Sequence, residues 1–150
     1  MVHGEMKKTV HADGVEVWTK GGVIHCEDGP AVIYPNGHEE WWQNGEKHRE
    51  DGPAVSGPYS NTEWWVRGEL HREDGPAVVG NDGITEFRVH GKLHRVNGPA
   101  FIEVHIESGR ELYEWYLDNV RIHSEKEFQR LSGRTDEQMQ TMREGFGKIH

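Results

Sequence analysis

The chain has 150 residues, about the length of one domain. Only 33% of its residues are hydrophobic and 19 are glycine, whereas typical domains are ~45–50% apolar, so the composition predicts a thin, turn-rich structure. The net charge of −9 argues against a nucleic-acid backbone or an anionic membrane as partner, because both would repel the chain.

Cysteine content and hydropathy bear on the compartment. The single cysteine, Cys26, excludes an intramolecular disulfide and is typical of a reducing environment. No apolar run is long enough for a signal peptide or a membrane span. We therefore expect a soluble protein of the cytoplasm.

An internal repeat follows a short polar stretch. Residues 1–14 contain a predicted first strand over 6–10 and a turn at Asp13-Gly14. From Val15 onward a histidine returns every 23 residues, with an aromatic seven residues before it, a glycine three before it and Gly-Pro four after it. The octapeptide His-Arg-Glu-Asp-Gly-Pro-Ala-Val is identical at 48–55 and 71–78. The repeated histidines are His25, His48, His71 and His94, and a worn fifth copy without Gly-Pro ends at His123.

Each unit is predicted to form two short strands joined by tight turns. Runs of β-branched and aromatic residues bounded by Gly, Pro, Asn and Asp are typical of strands, and the frequent glycine and proline exclude helix. The predicted aromatic strands are 15–20, 39–43, 62–66, 85–89 and 114–117. The strands after Gly-Pro are predicted at 31–34, 54–55, 77–79 and 100–105.

The octapeptide is interpreted first as a folded turn. Its proline has no amide hydrogen and must open a strand, and its aspartate can accept hydrogen bonds from nearby amides. The glycine before the proline is expected to use backbone angles that other residues cannot adopt. On this interpretation Gly52 and Gly75 should not tolerate a β-branched side chain.

The last residues, 124–150, change character and predict two helices. Capping boxes begin at Ser124 and Thr135, and a glycine at 133 ends the first helix, whose apolar side is predicted to be Phe128 and Leu131. In the second helix Met139, Met142 and Phe146 share one face. A repeat array needs a terminal cap, so 124–150 is predicted to cap the array 1–123. Homo-oligomerisation or partner docking through the methionine-rich face is the alternative.

The repeat resembles a known family once its residues are laid out. The order Trp-Trp, Gly, Leu-His-Arg-Glu-Asp-Gly-Pro-Ala over 15–123 is similar to the MORN-like repeats (membrane occupation and recognition nexus) of bacteriophage and large-virus proteins. The resemblance implies a mainly β fold, an elongated antiparallel sheet of repeated β-hairpins, and a phage or viral protein acting in the host cytoplasm. The chain departs from the pattern at Cys26, at Val96-Asn97 and at an insertion over 102–112.

The repeated histidines do not predict a metal site or an enzyme. With two strands per unit, equivalent residues lie ~10 Å apart, whereas two ligands of one zinc ion must come within ~4 Å of each other. No nucleophile repeats beside the histidines, because Ser56 and Ser60 occur in one unit only. We expect no cofactor, and a hydrolase that uses the loop histidines is the weakest alternative.

The paired tryptophans and the loop cations predict a binding function. Neighbouring rings on a strand point to opposite faces, and rings one unit apart could hold a flat ligand. The leading hypothesis is a non-enzymatic protein that sequesters a nucleotide-type signal or otherwise inhibits a host defence component. The alternatives are an acidic scaffold or nucleic-acid mimic that binds a basic host protein, and a purely structural hydrogen-bond ladder with Val55 and Val78 as core. The predicted ligand-binding residues are Trp41, Trp42, His48, Arg49, Trp64, Trp65, His71 and Arg72.

Overall fold

The computed structural model describes residues 2–150 and confirms the mainly β fold class, with antiparallel pairing and two C-terminal helices. Eighteen strands lie within the described residues. They are β1 (Met6–Val10), β2 (Glu16–Lys20), β3 (Val23–Ile24), β4 (Val32–Ile33), β5 (Glu39–Glu40), β6 (Trp42–Gln43), β7 (Glu46–Lys47), β8 (Val55–Ser56), β9 (Thr62–Glu63), β10 (Trp65–Val66), β11 (Glu69–Leu70), β12 (Val78–Val79), β13 (Ile84–Glu86), β14 (Arg88–Val89), β15 (Lys92–Leu93), β16 (Phe101–Val104), β17 (Glu111–Leu117) and β18 (Val120–Ile122). The helices are α1 (Glu125–Ser132) and α2 (Asp136–Phe146).

A long meandering sheet runs through every unit in the order β1-β2-β4-β5-β8-β9-β12-β13-β16-β17-β18, with β3 paired to β2. Each central unit contributes two strands to it, as the sequence predicted. In the second unit, Glu40 pairs with Val32 on one side and with Val55 on the other. The strands are short because glycine and proline interrupt them every few residues.

Each central unit also forms a short hairpin that is not part of this sheet. We call these the local hairpins, and they are β6–β7, β10–β11 and β14–β15. The predicted strands 39–43, 62–66 and 85–89 are each broken at their aromatic residue, so that the second half pairs locally instead. In the second unit Trp42 pairs with Lys47 across a turn at Asn44-Gly45, whose φ angles are 52° and 79°. Two consecutive positive φ angles define a type I′ turn, which matches the twist of a hairpin. These local hairpins were not predicted.

The local hairpins stack on one another along the array. The amide of Gly45 donates to the carbonyl of Ile24 at 2.9 Å, and the amide of Gly68 donates to the carbonyl of Lys47 at 2.9 Å. Each turn is therefore tied to the second strand of the preceding hairpin. Each central unit therefore consists of two strands of the long sheet and one local hairpin, and both parts bond to the neighbouring units.

The core of the array is thin and consists of the residues that follow Gly-Pro. Ala54 and Ala77 are 0% exposed, and Val55 and Val78 are buried beside them. The expectation that these two valines are core residues is confirmed by their burial. Alanine at the first position leaves no room for a larger side chain, because packing in protein interiors is close to crystalline density.

The helices cover the last unit. Phe128 and Met139 are almost fully buried against Trp115, whose ring meets that of Phe128 edge-on at 5.1 Å. Ser124 accepts the amide of Glu127, and a complete capping box forms at the start of α2. Leu131 is 47% exposed and adds nothing to the apolar side predicted for α1. The methionine face is thus packed within the chain's own cap.

Neither of the two helices within residues 2–150 has the length and apolar character needed to cross a membrane.

Candidate functional site

The four loops that begin at the repeated histidines lie one above another along the array. We call this set the loop row and define it as residues 25–30, 48–53, 71–76 and 94–99. The loops contain four of the eight predicted ligand-binding residues and contact the other four. The rings of Trp41 and Trp64 lie against loop arginines, and the carbonyls of Trp42 and Trp65 accept loop amides. Their geometry shows which side chains serve the fold and which face solvent.

The arginine of each loop stacks on the aromatic residue of its own unit. The guanidinium carbon of Arg49 lies 3.8 Å from the centre of the Trp41 ring, a cation–π contact. Its Nε donates to Asp51 at 2.9 Å and its Nη1 donates to the carbonyl of Pro53 at 3.3 Å. The hydrogen bond from Arg49 lowers the pKa of Asp51 below its ordinary value. All of these contacts lie within one unit, so the arginine side chain holds its own loop closed.

The same arrangement is repeated in the next two units. Arg72 lies 4.0 Å from Trp64 and donates to Asp74 at 2.9 Å. Arg95 lies 3.8 Å from Phe87 and donates to Asn97 at 3.0 Å. Asparagine supplies the same acceptor oxygen as aspartate, which is why the departure at Val96-Asn97 does not change the loop.

The glycine before each proline is needed for this arginine and not for its backbone angles. The φ of Gly52 is not positive, so the expected special conformation at Gly52 and Gly75 is wrong. A Cβ on Gly52 would lie 2.9 Å from the guanidinium carbon of Arg49, and one on Gly75 would lie 2.8 Å from that of Arg72. In the first unit, where Cys26 replaces the arginine, a Cβ on Gly29 would meet nothing within 4 Å.

The histidines connect each unit to the following one. Nδ1 of His48 accepts the backbone amide of Arg67 at 3.0 Å, and Nδ1 of His71 accepts that of His90 at 3.0 Å. An accepting Nδ1 requires a neutral ring with its proton on Nε2. The first and last histidines make the same bond, from Asn44 to His25 at 3.0 Å and from Asp118 to His94 at 3.1 Å. His123, in the worn copy, is exposed.

The second tryptophan of each pair lies in the first strand of a local hairpin. Nε1 of Trp42 donates to Glu40 at 2.8 Å, and Nε1 of Trp65 donates to Glu63 at 2.7 Å. The ammonium of Lys47 lies 5.6 Å from the Trp42 ring centre and 5.3 Å from that of Trp65. A lysine thus contacts both of the successive rings that were predicted to hold a flat ligand, and such a ligand would have to displace it.

The carboxylates of the loop row point to solvent. The side chains of Glu50 and Asp51 are 77% and 84% exposed, and those of Glu73 and Asp74 are 79% and 86% exposed. The arginine side chain beside Asp51 is only 25% exposed. The outer face of the second and third loops is therefore acidic, although each of these two loops also contains an arginine. Shallow clefts separate the loops, and the one between the second and third loops has a volume of about 420 Å³.

The geometry of the loop row gives no support to a metal site or to a hydrolase. Within residues 2–150 no group of three His, Cys, Asp or Glu side chains is placed to hold a metal ion. The hydrolase hypothesis gains no support from the geometry, because Nδ1 of each loop histidine is occupied by a backbone amide. The hydroxyl of Ser60 donates to the carbonyl of Gly57 at 3.4 Å.

Comparison with models of protein families, with curated proteins and with solved structures finds no match to this chain. The fold and the loop row define a capped array of β-hairpin repeats. The resemblance to MORN-like viral proteins stays a prediction that rests on the sequence pattern.

Proposed function

We propose that this protein is a non-enzymatic binding module whose acidic loop row engages a basic surface of a partner protein. The observation that carries the proposal is that the cationic side chains of a loop make contacts within the array whereas its carboxylates are exposed. Arg49 and His48 are held by bonds inside the array, while the side chains of Glu50 and Asp51 are mostly exposed, although Asp51 also accepts a hydrogen bond from Arg49. The surface that a partner meets is that of the carboxylates.

The regular spacing of the carboxylates supports this function. Two strands per unit place equivalent carboxylates ~10 Å apart, which is close to the screening length of ~8–10 Å in physiological salt. Neighbouring loops therefore act together on an approaching cation. Complementary charge of this kind raises association rates and sets orientation, and the net charge of −9 acts in the same direction.

A nucleotide-type ligand is a weaker proposal for the same surface. Its phosphates would meet Glu50 and Asp51 first, and the arginine behind them is already neutralised by Asp51. Its base would have to displace Arg49 from Trp41 or Lys47 from its ring contacts.

The phage or viral origin implied by the MORN-like pattern narrows the partner. In that setting the basic partner is a component of a host defence system, engaged in the host cytoplasm, and the loop row acts by occupying its surface. Nucleic-acid mimicry is a natural form of this function, since a line of evenly spaced negative charges is what a DNA-binding or RNA-binding surface recognises.

The test is a fluorescence titration of the protein with a labelled oligolysine peptide as probe. The double variant Glu50→Gln/Glu73→Gln keeps both Arg–Asp pairs and removes two exposed charges. The matched control, Glu107→Gln/Glu137→Gln, removes two exposed charges elsewhere. At ~0.2–1 kcal/mol for each exposed contact, the loop-row variant should bind about two- to thirty-fold more weakly, with no change in the control.

Two results would overturn this function. Equal weakening by both double variants would mean that the peptide responds only to net charge. A thermal shift produced by a cyclic dinucleotide and lost in Trp42→Ala, with no effect of the loop-row variant on peptide binding, would favour the sequestration of a nucleotide.

A further inference from the structure

A cavity of about 410 Å³ lies beside Trp18 in the first unit. Its lining includes Cys26, Asp28, Gly29 and Pro30, which belong to the first loop of the loop row. These are the positions that enclose an arginine side chain in the three later units. The first unit has the enclosure without the arginine.

The groups that hold the guanidinium elsewhere are all present around this cavity. In the second unit the guanidinium of Arg49 contacts an aromatic ring, an aspartate and the carbonyl of a proline. The first unit has the same residue types at the same three positions. The equivalent pairs are Trp18 and Trp41, Asp28 and Asp51, and Pro30 and Pro53.

The space at Gly29 is a separate sign that the enclosure is open. A Cβ on Gly52 or Gly75 would collide with the guanidinium of its own unit at 2.9 or 2.8 Å. At Gly29 nothing lies within 4 Å of that position. The volume that the arginine occupies in the later units is therefore free in the first one.

We propose that the cleft over Trp18 binds a guanidinium group supplied by another molecule. A guanidinium is planar, stacks on an aromatic face and donates several hydrogen bonds in one plane, which fits a tryptophan, an aspartate and a backbone carbonyl. An ammonium is compact and more strongly hydrated, so it uses this arrangement less well. The later units show which cation the enclosure accommodates.

The charges around the cleft favour a cation over an anion. Glu27 and Asp28 line it together with one cation, Lys20. Lys20 lies 3.5 Å from Glu27, which also accepts from His25 at 3.1 Å, so Asp28 remains for an incoming group. Lys8 lies 5.9 Å from the centre of Trp18, far beyond the stacking distance of the later arginines.

This site can be tested separately from the proposed loop-row function, because it depends on the first unit alone, whereas the carboxylates changed in the loop-row test are Glu50 and Glu73. The guanidinium has two sources of the same chemistry, a free guanidino compound or an arginine of a partner protein. Titration calorimetry with arginine amide and with the peptide Gly-Arg-Gly amide distinguishes them. Tighter binding of the peptide assigns the site to a protein arginine, and equal binding assigns it to a small molecule.

The controls are lysine amide and citrulline amide, in which an uncharged ureido group replaces the guanidinium. Arginine amide should bind at one site per chain and about ten-fold more tightly than either. Gly29→Ala should fold normally and lose this binding, because its Cβ enters the cleft. Gly145→Ala, which also meets nothing within 4 Å, should bind like the parent protein.

Two further variants complete the test. Cys26→Arg should fill the cleft from within and abolish binding, whereas Cys26→Ser should leave it intact. Equal binding of arginine amide and citrulline amide, or unchanged binding to Gly29→Ala, would overturn the proposal even if Cys26→Arg fails to fold. The variant Glu50→Gln/Glu73→Gln should still bind arginine amide, so the two functional proposals can fail separately.

Discussion

Replacing the glycine before proline should have opposite effects in different units. Gly52→Ala places a Cβ 2.9 Å from the guanidinium carbon of Arg49, so the guanidinium must shift and its contacts weaken. Its stack on Trp41 contributes ~0.5–2 kcal/mol, and its hydrogen bonds to Asp51 and Pro53 contribute ~0.5–1.5 kcal/mol each. The side chain is partly exposed, and alanine restricts the unfolded chain, so we expect a net loss of about 1–3 kcal/mol.

Gly29→Ala is the matched control, because the first unit has no arginine to displace. The restriction of the unfolded chain then acts alone, and the variant should be unchanged or more stable by up to ~1 kcal/mol. Urea denaturation followed by tryptophan fluorescence and by circular dichroism measures both variants.

A double-mutant cycle isolates the cause. In an Arg49→Ala background, Gly52→Ala should cost nothing further, since the collision partner is absent. Equal destabilisation by Gly52→Ala and Gly29→Ala, or a full cost of Gly52→Ala without the arginine, would refute the packing explanation and return the glycine to a backbone role.

Three other perturbations test the array and its cap. His48→Ala leaves the amide of Arg67 without its acceptor and should cost ~1 kcal/mol in urea denaturation, whereas Arg67→Ala should stay within ~0.5 kcal/mol because only its backbone is used; equal costs would refute the bond. Gly45→Val should lower the melting temperature strongly, since φ is 79° at this turn and a β-branched residue there is strained by ~1–3 kcal/mol. Deletion of 124–150 should expose the buried ring of Trp115 and produce aggregates in light scattering; a soluble monomer would show that the helices are not a cap.

The repeat period made much of the fold predictable. A histidine every 23 residues gave the number of units, and Gly-Pro placed the strands that start at Val55 and Val78, one residue after their predicted starts at 54 and 77. The local hairpins were missed although Asn44-Gly45 is a strong type I′ turn signal. In the other central units the equivalent turns are Arg67-Gly68 and His90-Gly91, whose first residues seldom adopt positive φ, so among the central units the signal is visible in one only.

The residues that form the site could be predicted from the sequence, but most of the contacts between them could not. Sequence spacing brought Trp41, Arg49 and Asp51 into one unit, and the structure joins them. It could not show that the arginine covers the ring and fills the space over Gly52, because that depends on how the strand breaks at Trp41. The bond from His48 to the next unit is equally invisible, since its donor is a backbone amide and leaves no mark on residue type.

The histidine bond to a backbone amide has a consequence for how such a chain can change length. Four different residues supply the amide, namely Asn44, Arg67, His90 and Asp118. Because the bond does not depend on the side chain of the donor, a duplicated unit could form it with the units before and after it without further substitutions. Loss of a whole unit would likewise leave each remaining histidine with a backbone amide to accept. The identity of 48–55 and 71–78 is what copying of a whole unit produces. The length of the array can then be adjusted by whole units, while the bond between units stays the same.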